Sequence, residues 1–327
     1  MKMNMNAMRK QALDLLESLW QFQYRGGGFR HSPDGYVSVM GTTDAAWIFQ
    51  MLRADTQIAN FRQEAAEWLL AQQQTDGHYH HDMPRFNSSE YRHSDGHALW
   101  MTARALRIYG SALPDVPTYL KPLADPKKLE EWFAATDWQS AESNHHDVLS
   151  LIPVAGWVQD PEWSRVYYEN LEKQQDPVTH TWCNNREHRT NVSRTFAYVA
   201  LFRAAGKIPP YAKELIDNIL SIQRDSGIWE TRCDTPEFHT MDAVYILKRL
   251  GDAIGYPEEP RLRAMERAAD AMAVYFASRP IERFTDTHLL HGNLQTIGLL
   301  QEAFPERYET DIPWHFEWDH ADQFYAK

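Results

Sequence analysis

Four times along this chain a glutamine is followed by a short turn and an aromatic residue: "QYRGGGF", "QQTDGHY", "QDPVTHTW" and "QRDSGIW". The glutamines are Gln23, Gln73, Gln175 and Gln223, which lie 50, 102 and 48 residues apart, close to one, two and one multiples of 50. A fixed period constrains the fold strongly, because each repeat must be one supersecondary unit that buries its apolar face on its neighbours. A further helix-like segment follows each turn: "TTDAAWIFQML", "SDGHALWMTARAL", "NVSRTFAYVALFRA" and "TMDAVYILKRL". Two weaker copies, "SNHHDVLSLIPVAGW" and "HGNLQTIGLLQEAF", fill the gaps and bring the number of units to six.

Each unit carries two kinds of helical pattern. Before the turn, apolar and charged positions alternate, as in "FRQEAAEWLL" and "YAKELIDNIL", so one side faces water. After the turn the pattern is apolar nearly all round, as in "AAWIFQML" and "AVYILKRL", and the helix must be buried. Strand signals are scarce, the best being the short "YVSV" at 36–39. Six pairs of outer and inner helices bury their faces most simply by closing into a ring. The expected fold is therefore all-α, an (α/α)6 toroid forming a single domain over 1–327, with an irregular insertion at about 110–126.

The segments "WLLAQQQTDGHY" (68–79) and "ILSIQRDSGIW" (219–229) resemble the QW-type repeat of the α/α-toroid superfamily. That superfamily includes squalene and terpene cyclases, protein prenyltransferase β-subunits and a linalool dehydratase-isomerase-like branch. Similar stretches occur in (α/α)6 sugar enzymes such as the unsaturated glucuronyl hydrolases. The resemblance implies architecture more than reaction. In such a ring the inner helices all point one way, and their first turns gather around a single funnel.

At those helix starts an Asp or Asn recurs: Asp44, Asp95, Asn144, Asn191, Asp242 and Asn293, at spacings of 51, 49, 47, 51 and 51. Helix capping is the plainest explanation. It does not explain the histidines around them, His93, His97, His145, His146, His188, His239 and His291. Histidine exchanges protons near neutral pH, and a desolvated carboxylate titrates closer to that range, so the funnel suits acid/base work. Asp44, Asp95, Asp242, His145, His146 and His239 are the candidate catalytic groups. Trp47, Trp100, Tyr198 and Tyr245 offer ring faces to a substrate, Arg194 an anion contact, and Asn144, Asn191, His80 and His291 polar contacts.

Three chemistries compete. Glycoside hydrolysis needs two carboxyl groups, and elimination from a uronate needs a base, a donor and a carboxylate clamp, a role open to Arg194. The mixture of Trp, His, Asp, Asn and Arg favours a saccharide, as a glycoside hydrolase or lyase substrate. Isoprenoid chemistry is the alternative. No D-x-D-D or D-D-x-x-D motif is present, which leaves a dehydratase-isomerase-like set of Asp44, His145 or His146, and Cys183. No cofactor is expected. Zinc held by His180, Cys183 and His188 is the weaker possibility, because their spacing matches no known zinc signature. A non-catalytic helical-repeat scaffold is the remaining alternative.

The formal charge of −12 and the lack of a basic stripe argue against nucleic acid as a partner. A small molecule or oligosaccharide is expected instead. "MKMNMNAMRK" lacks an apolar signal core and no run of 18 apolar residues follows, so a cytoplasmic protein without a membrane span is the expectation. Two cysteines, Cys183 and Cys233, are too few for a disulfide framework.

Overall fold

The computed structural model describes residues 2–75, 77–79, 94–136, 138, 148–182, 188–230, 233–284 and 286–316, and the backbone alone at 94, 95 and 188–191. The chain is mostly helical, with only a few short strands. After β1 (Met3–Asn4), α1 (Met5–Leu19) starts on Asn4, whose side chain accepts from Ala7 N. It buries Met5, Met8, Ala12, Leu15, Leu16 and Leu19, a 3–4 spacing that marks one face. An antiparallel hairpin of β2 (Trp20–Gln23) and β3 (Gly26–Phe29) leads to α2 (Val39–Met51). Of α2, all but Gln50 is buried.

The alternation then continues. α3 (Asp55–Ala59) and α4 (Arg62–Ala71) precede α5 (Ser94–Ile108), and α6 (Pro126–Ala135) precedes α7 (Ile152–Val158). α8 (Pro161–Lys173) is followed by α9 (His188–Ala204), and α10 (Ala212–Ser221) by α11 (Phe238–Tyr245). α11 runs on through a π-turn (Ile246–Leu250) into α12 (Gly251–Ile254). Last come α13 (Glu258–Ser278), α14 (Thr287–Ala303) and β4 (Tyr308–Glu309), which pairs in parallel with β1. α6 and α8 open in the same way: Asp125 or Asp160 caps the helix and proline takes the next position.

The helices after the turns pack on one another. α5 lies on α2, α2 on α14, α14 on α11, and α11 on α9, while α7 contacts α5. The first helix of this buried series thus meets the last. The segment between α5 and α6 is irregular, with a 3-10 turn at Lys121–Ala124, and it buries Val116 and Leu120.

The repeated glutamine has a local job. Gln73 Nε2 donates to Gly77 O at 3.2 Å, Gln223 Nε2 to Gly227 O at 2.8 Å, and Gln175 Nε2 to His180 O at 3.0 Å. The same amide also ties neighbouring units, Gln175 reaching Pro210 O at 2.9 Å and Gln223 reaching Ala264 O at 2.8 Å. The aromatic after the turn folds back: Trp182 Nε1 donates to Leu171 O and Trp229 Nε1 to Ile219 O, each on the preceding helix. These bonds satisfy carbonyls at a helix end that has no further turn to bond to. Gly77 and Gly227 have φ of +92° and +87°, and His180, at φ +56°, takes that place in the third copy.

One expectation needs correction. Gln23 closes no helix-end turn; it ends β2 of the hairpin, and the backbone reversal there falls at Arg25 and Gly26. The "YVSV" stretch, short enough to be loop, forms no strand. Val37 makes only an isolated bridge to Arg30, and Ser38 caps α2, accepting from Gly41 N at 2.8 Å. Residues Gly27 and Gly28 form a strand in spite of glycine's low strand propensity because Trp20, Trp68 and Thr42 press on that backbone.

A Cβ on Gly227 would lie 2.5 Å from Arg267 O, and its φ is positive. Gly227→Ala is therefore expected to destabilise the fold by about 2 kcal/mol or more, read as a lower urea midpoint. Ala at Gly110, where φ is +80° but nothing lies within 4 Å, is expected to cost less.

Candidate active site around Asp44

Asp44 is fully buried in the second turn of α2. The start of α2 at Ser38 places it too far along for capping, and Thr43 bonds back to Met40 O. Its carboxylate faces α14. Oδ2 accepts from Thr287 Oγ1 at 3.2 Å, and Oδ1 lies 3.0 Å from His288 Nδ1 and 3.2 Å from His291 Nδ1. Asp286 caps α14 by accepting from His288 N and Leu289 N, which fixes where the helix begins. His288 and His291, three residues apart, then share a helix face.

Burial opposes a charge on Asp44, but the imidazoles of His288 and His291 more than compensate and hold the carboxyl well below the usual carboxylate range. Burial depresses His291 in turn, against the pull of Asp44. Burial pushes the Tyr109 phenol well up, and the charge of Asp44 adds to that push. The surroundings are aromatic. Trp47, one turn beyond Asp44, has its ring 5.2 Å from His291 and meets Trp100 edge-on at 5.2 Å. Phe238 of α11 lies 4.3 Å from the His288 ring, and His97 of α5 stands at 5.6 Å from it. Gly292 admits Phe238: a Cβ there would stand 3.0 Å from the ring.

A second buried carboxyl pair sits at the start of α11. Glu230 accepts from Glu237 N at 2.7 Å, Thr240 N at 2.9 Å and Thr240 Oγ1 at 2.6 Å, so it caps the helix from outside. Asp242, in the first turns of α11, is driven well above the ordinary carboxyl range by burial and by the charge of Glu230, against a hydrogen bond from Ser193. Burial also raises Glu230, opposed by its three donors. Asp242 Oδ2 is buried with no hydrogen-bond partner among the described residues.

The structure therefore brings together Asp44, Trp47, Trp100 and His291 from the expected set. His239 is buried in the first turn of α11, next to Thr240. Arg194 is buried in α9. The Tyr198 ring stands edge-on to Trp182, and Tyr245 packs against Phe196 and Phe316. His180 stacks on Tyr211 at 4.5 Å. Among the polar helix-start residues Asn293 differs in role, since its Nδ2 donates to Leu289 O within α14. The side chains of Asp95, Asn191 and His188, and all of His80, Asn144, His145, His146 and Cys183, lie outside the described residues.

Sequence reasoning missed His288, Thr287 and Glu230. The first two carried a visible signal, since "THLLH" after Asp286 places two histidines on one face of a capped helix. Glu230 carried none, because it precedes its helix by a loop. Among the described residues, Asp44, His288 and His291 are the group with metal-ligand types and spacing, their three ligand atoms lying within 4.8 Å of one another. A cavity of about 250 Å³ borders Trp100 and Arg104, with Leu113, Ile152 and Trp157 on its other walls. No described helix is long and apolar enough to cross a membrane. Compared with known proteins, the chain has no significant match to a family model, a curated protein or a solved structure.

The two aspartates imply opposite pH behaviour. Asp44, lowered on folding, contributes stability above the unfolded carboxyl pKa of about 4, and loses it as pH falls through the folded value. Asp242, raised on folding, contributes stability below about pH 4 and loses it as pH rises through its folded value. Asp242→Asn is thus expected to exceed the parent in stability at neutral and alkaline pH, by on the order of 1 kcal/mol or more. Asp44→Asn is expected to fall below the parent at neutral pH, with the gap closing in acid. Urea midpoints across a pH series read both.

Proposed function

We propose that this chain is an acid/base enzyme acting on a saccharide, with its site at the common end of the buried helices of an (α/α)6 ring. The observation that carries the reading is the opposed surroundings of two buried aspartates: Asp44 faces imidazoles that hold its carboxyl low, and Asp242 is driven up by burial and by the charge of Glu230. Pairs of titratable groups pushed apart in this way supply an acid and a base at one pH. Both belong to helices that pack on α14, α2 on one side and α11 on the other. The contact between α2 and α14 supports ring closure, and the glutamine turns support kinship with the α/α-toroid superfamily.

In a hydrolytic reaction the Asp242 carboxyl gives its proton to the departing glycosidic oxygen as the bond to the anomeric carbon breaks. A water oxygen bonds to that carbon and passes its proton to the Asp44–imidazole cluster. Trp47 and Trp100 beside the cluster supply a ring face of the kind that packs on a sugar. The apolar walls of the neighbouring cavity, Leu113, Ile152 and Trp157, favour a second reading, an isoprenoid alcohol dehydrated by the same acid/base pair.

Ligand-induced thermal shift with oligosaccharides and uronates against terpene alcohols and prenyl diphosphates separates the two, because a ligand that binds only the folded state raises the Tm. Stabilisation and turnover with sugars are expected. A response confined to isoprenoids overturns the saccharide reading. In the activity assay Asp242→Asn is expected to lower kcat by about 10²–10⁴-fold, while the protein stays folded and its Tm at neutral pH does not fall.

A further inference from the structure

We infer that Asp44, His288 and His291 form a binding site for one divalent metal ion of zinc type, with at least one coordination position open to water or substrate. The inference rests on the acid/base reading only for its use; the site itself stands on geometry.

Zinc in open sites takes three protein ligands from imidazole and carboxylate, at about 2.0–2.2 Å each. Tetrahedral directions at those bond lengths set ligand atoms about 3.3 Å apart. Asp44 Oδ1 stands 3.0 Å from His288 Nδ1 and 3.2 Å from His291 Nδ1, and all three ligand atoms lie within 4.8 Å of one another, a span that one ion can draw together. Both histidines turn the same ring nitrogen, Nδ1, toward the same carboxylate oxygen. Without an ion, His291 Nδ1 is buried 3.2 Å from that oxygen yet makes no hydrogen bond among the described residues. With an ion, both nitrogens are unprotonated and the neutral imidazole is the ligating form.

The supports behind the ligands also fit. Metal-binding histidines engage their second ring nitrogen, and ligating carboxylates are held by a further hydrogen bond. His291 Nε2 faces the Gln295 side-chain amide, one turn along α14, whose otherwise unpartnered oxygen takes the ring N–H once the amide is turned over, and Thr287 Oγ1 donates to Asp44 Oδ2. The three ligands come from two elements that pack directly, α2 and α14, and Asp286 and Ser38 fix where those helices begin. Trp47 and Phe238 dry the site on two sides. His288 keeps 13% of its side chain exposed, which leaves a path for the ion and for water. Such an ion lowers the pKa of bound water toward neutrality, and the base side of the proposed reaction would then be a metal-held hydroxide opposite the Asp242 acid.

The test uses the full chain, stripped with chelator and titrated with zinc by calorimetry and with cobalt(II) by visible absorption. One equivalent of zinc, a rise in Tm, and the intense d–d bands of four- or five-coordinate cobalt are expected. His288→Gln, on the most exposed ligand, is expected to weaken zinc by at least about 100-fold while keeping the parent's circular dichroism. Thr287→Val, which touches only the carboxylate, is expected to weaken it by about 10–100-fold. Asp242→Asn is expected to lose turnover and keep one equivalent of zinc, so failure of the metal reading and failure of the acid/base reading give different results. No zinc bound by the stripped parent, or zinc affinity unchanged in His288→Gln, overturns the inference, since the cluster is then a hydrogen-bonded triad and any residual ion adventitious.

Discussion

A single buried carboxylate joins the two ends of the helical series. Asp44 lies in α2, the first of the fully buried helices, and its three polar neighbours, Thr287, His288 and His291, lie in α14, the last. A charge on a side chain with no exposed surface is costly unless partners compensate for lost water. Three of them do so here, and all reside on one helix face. The consequence is positional: α2 and α14 can approach only in the register that matches carboxylate to imidazoles. A backbone bond beside it, Thr287 N to His31 O at 2.8 Å, repeats the same register.

The second carboxyl pair follows the opposite logic. Glu230 is matched to three donors at the start of α11, whereas Asp242, among the described residues, has a hydrogen bond from Ser193 and an oxygen left over. Desolvation without matching charge makes the neutral acid the stable form. One protein thus shifts two aspartates in opposite directions from the ordinary carboxyl range through what surrounds them, with no difference in the side chain itself. The burial that favours the neutral acid at Asp242 costs the fold stability as pH rises and the carboxyl must ionise.

What could be read from the sequence follows the range of the forces involved. The turns were legible because Gln73, Gln175 and Gln223 each serve a carbonyl four or five residues away, so the whole interaction lies in one short string. The buried helices were legible from apolar residues on every face of α2, α11 and α14. Reading the helix starts at Asp44 and Asn293 puts them nearly two turns too late, because Ser38 and Asp286, which cap, sit in stretches that read as loop. The hairpin at 20–29 was hidden behind three consecutive glycines, which are poor strand formers, and is imposed by Trp68 and Thr42 packing on it. His288 escaped because its meaning depends on a carboxylate 244 residues earlier, and one sequence carries no trace of that pairing.

The pairing of β1 with β4 has a kinetic meaning. Met3 and Asn4 lie beside Tyr308 and Glu309, at nearly the full separation the described chain allows. Contacts between distant parts of a chain pay their loop-closure entropy before they return any binding energy, and they form late. The helix pairs with their glutamine turns are local and can assemble as the polypeptide leaves the ribosome. Asp44 then waits, buried or not, for residues made long after it. Until the last helix docks, the chain has most of its secondary structure and none of the Asp44 cluster, so a partly synthesised or truncated protein would be folded in part and chemically silent there.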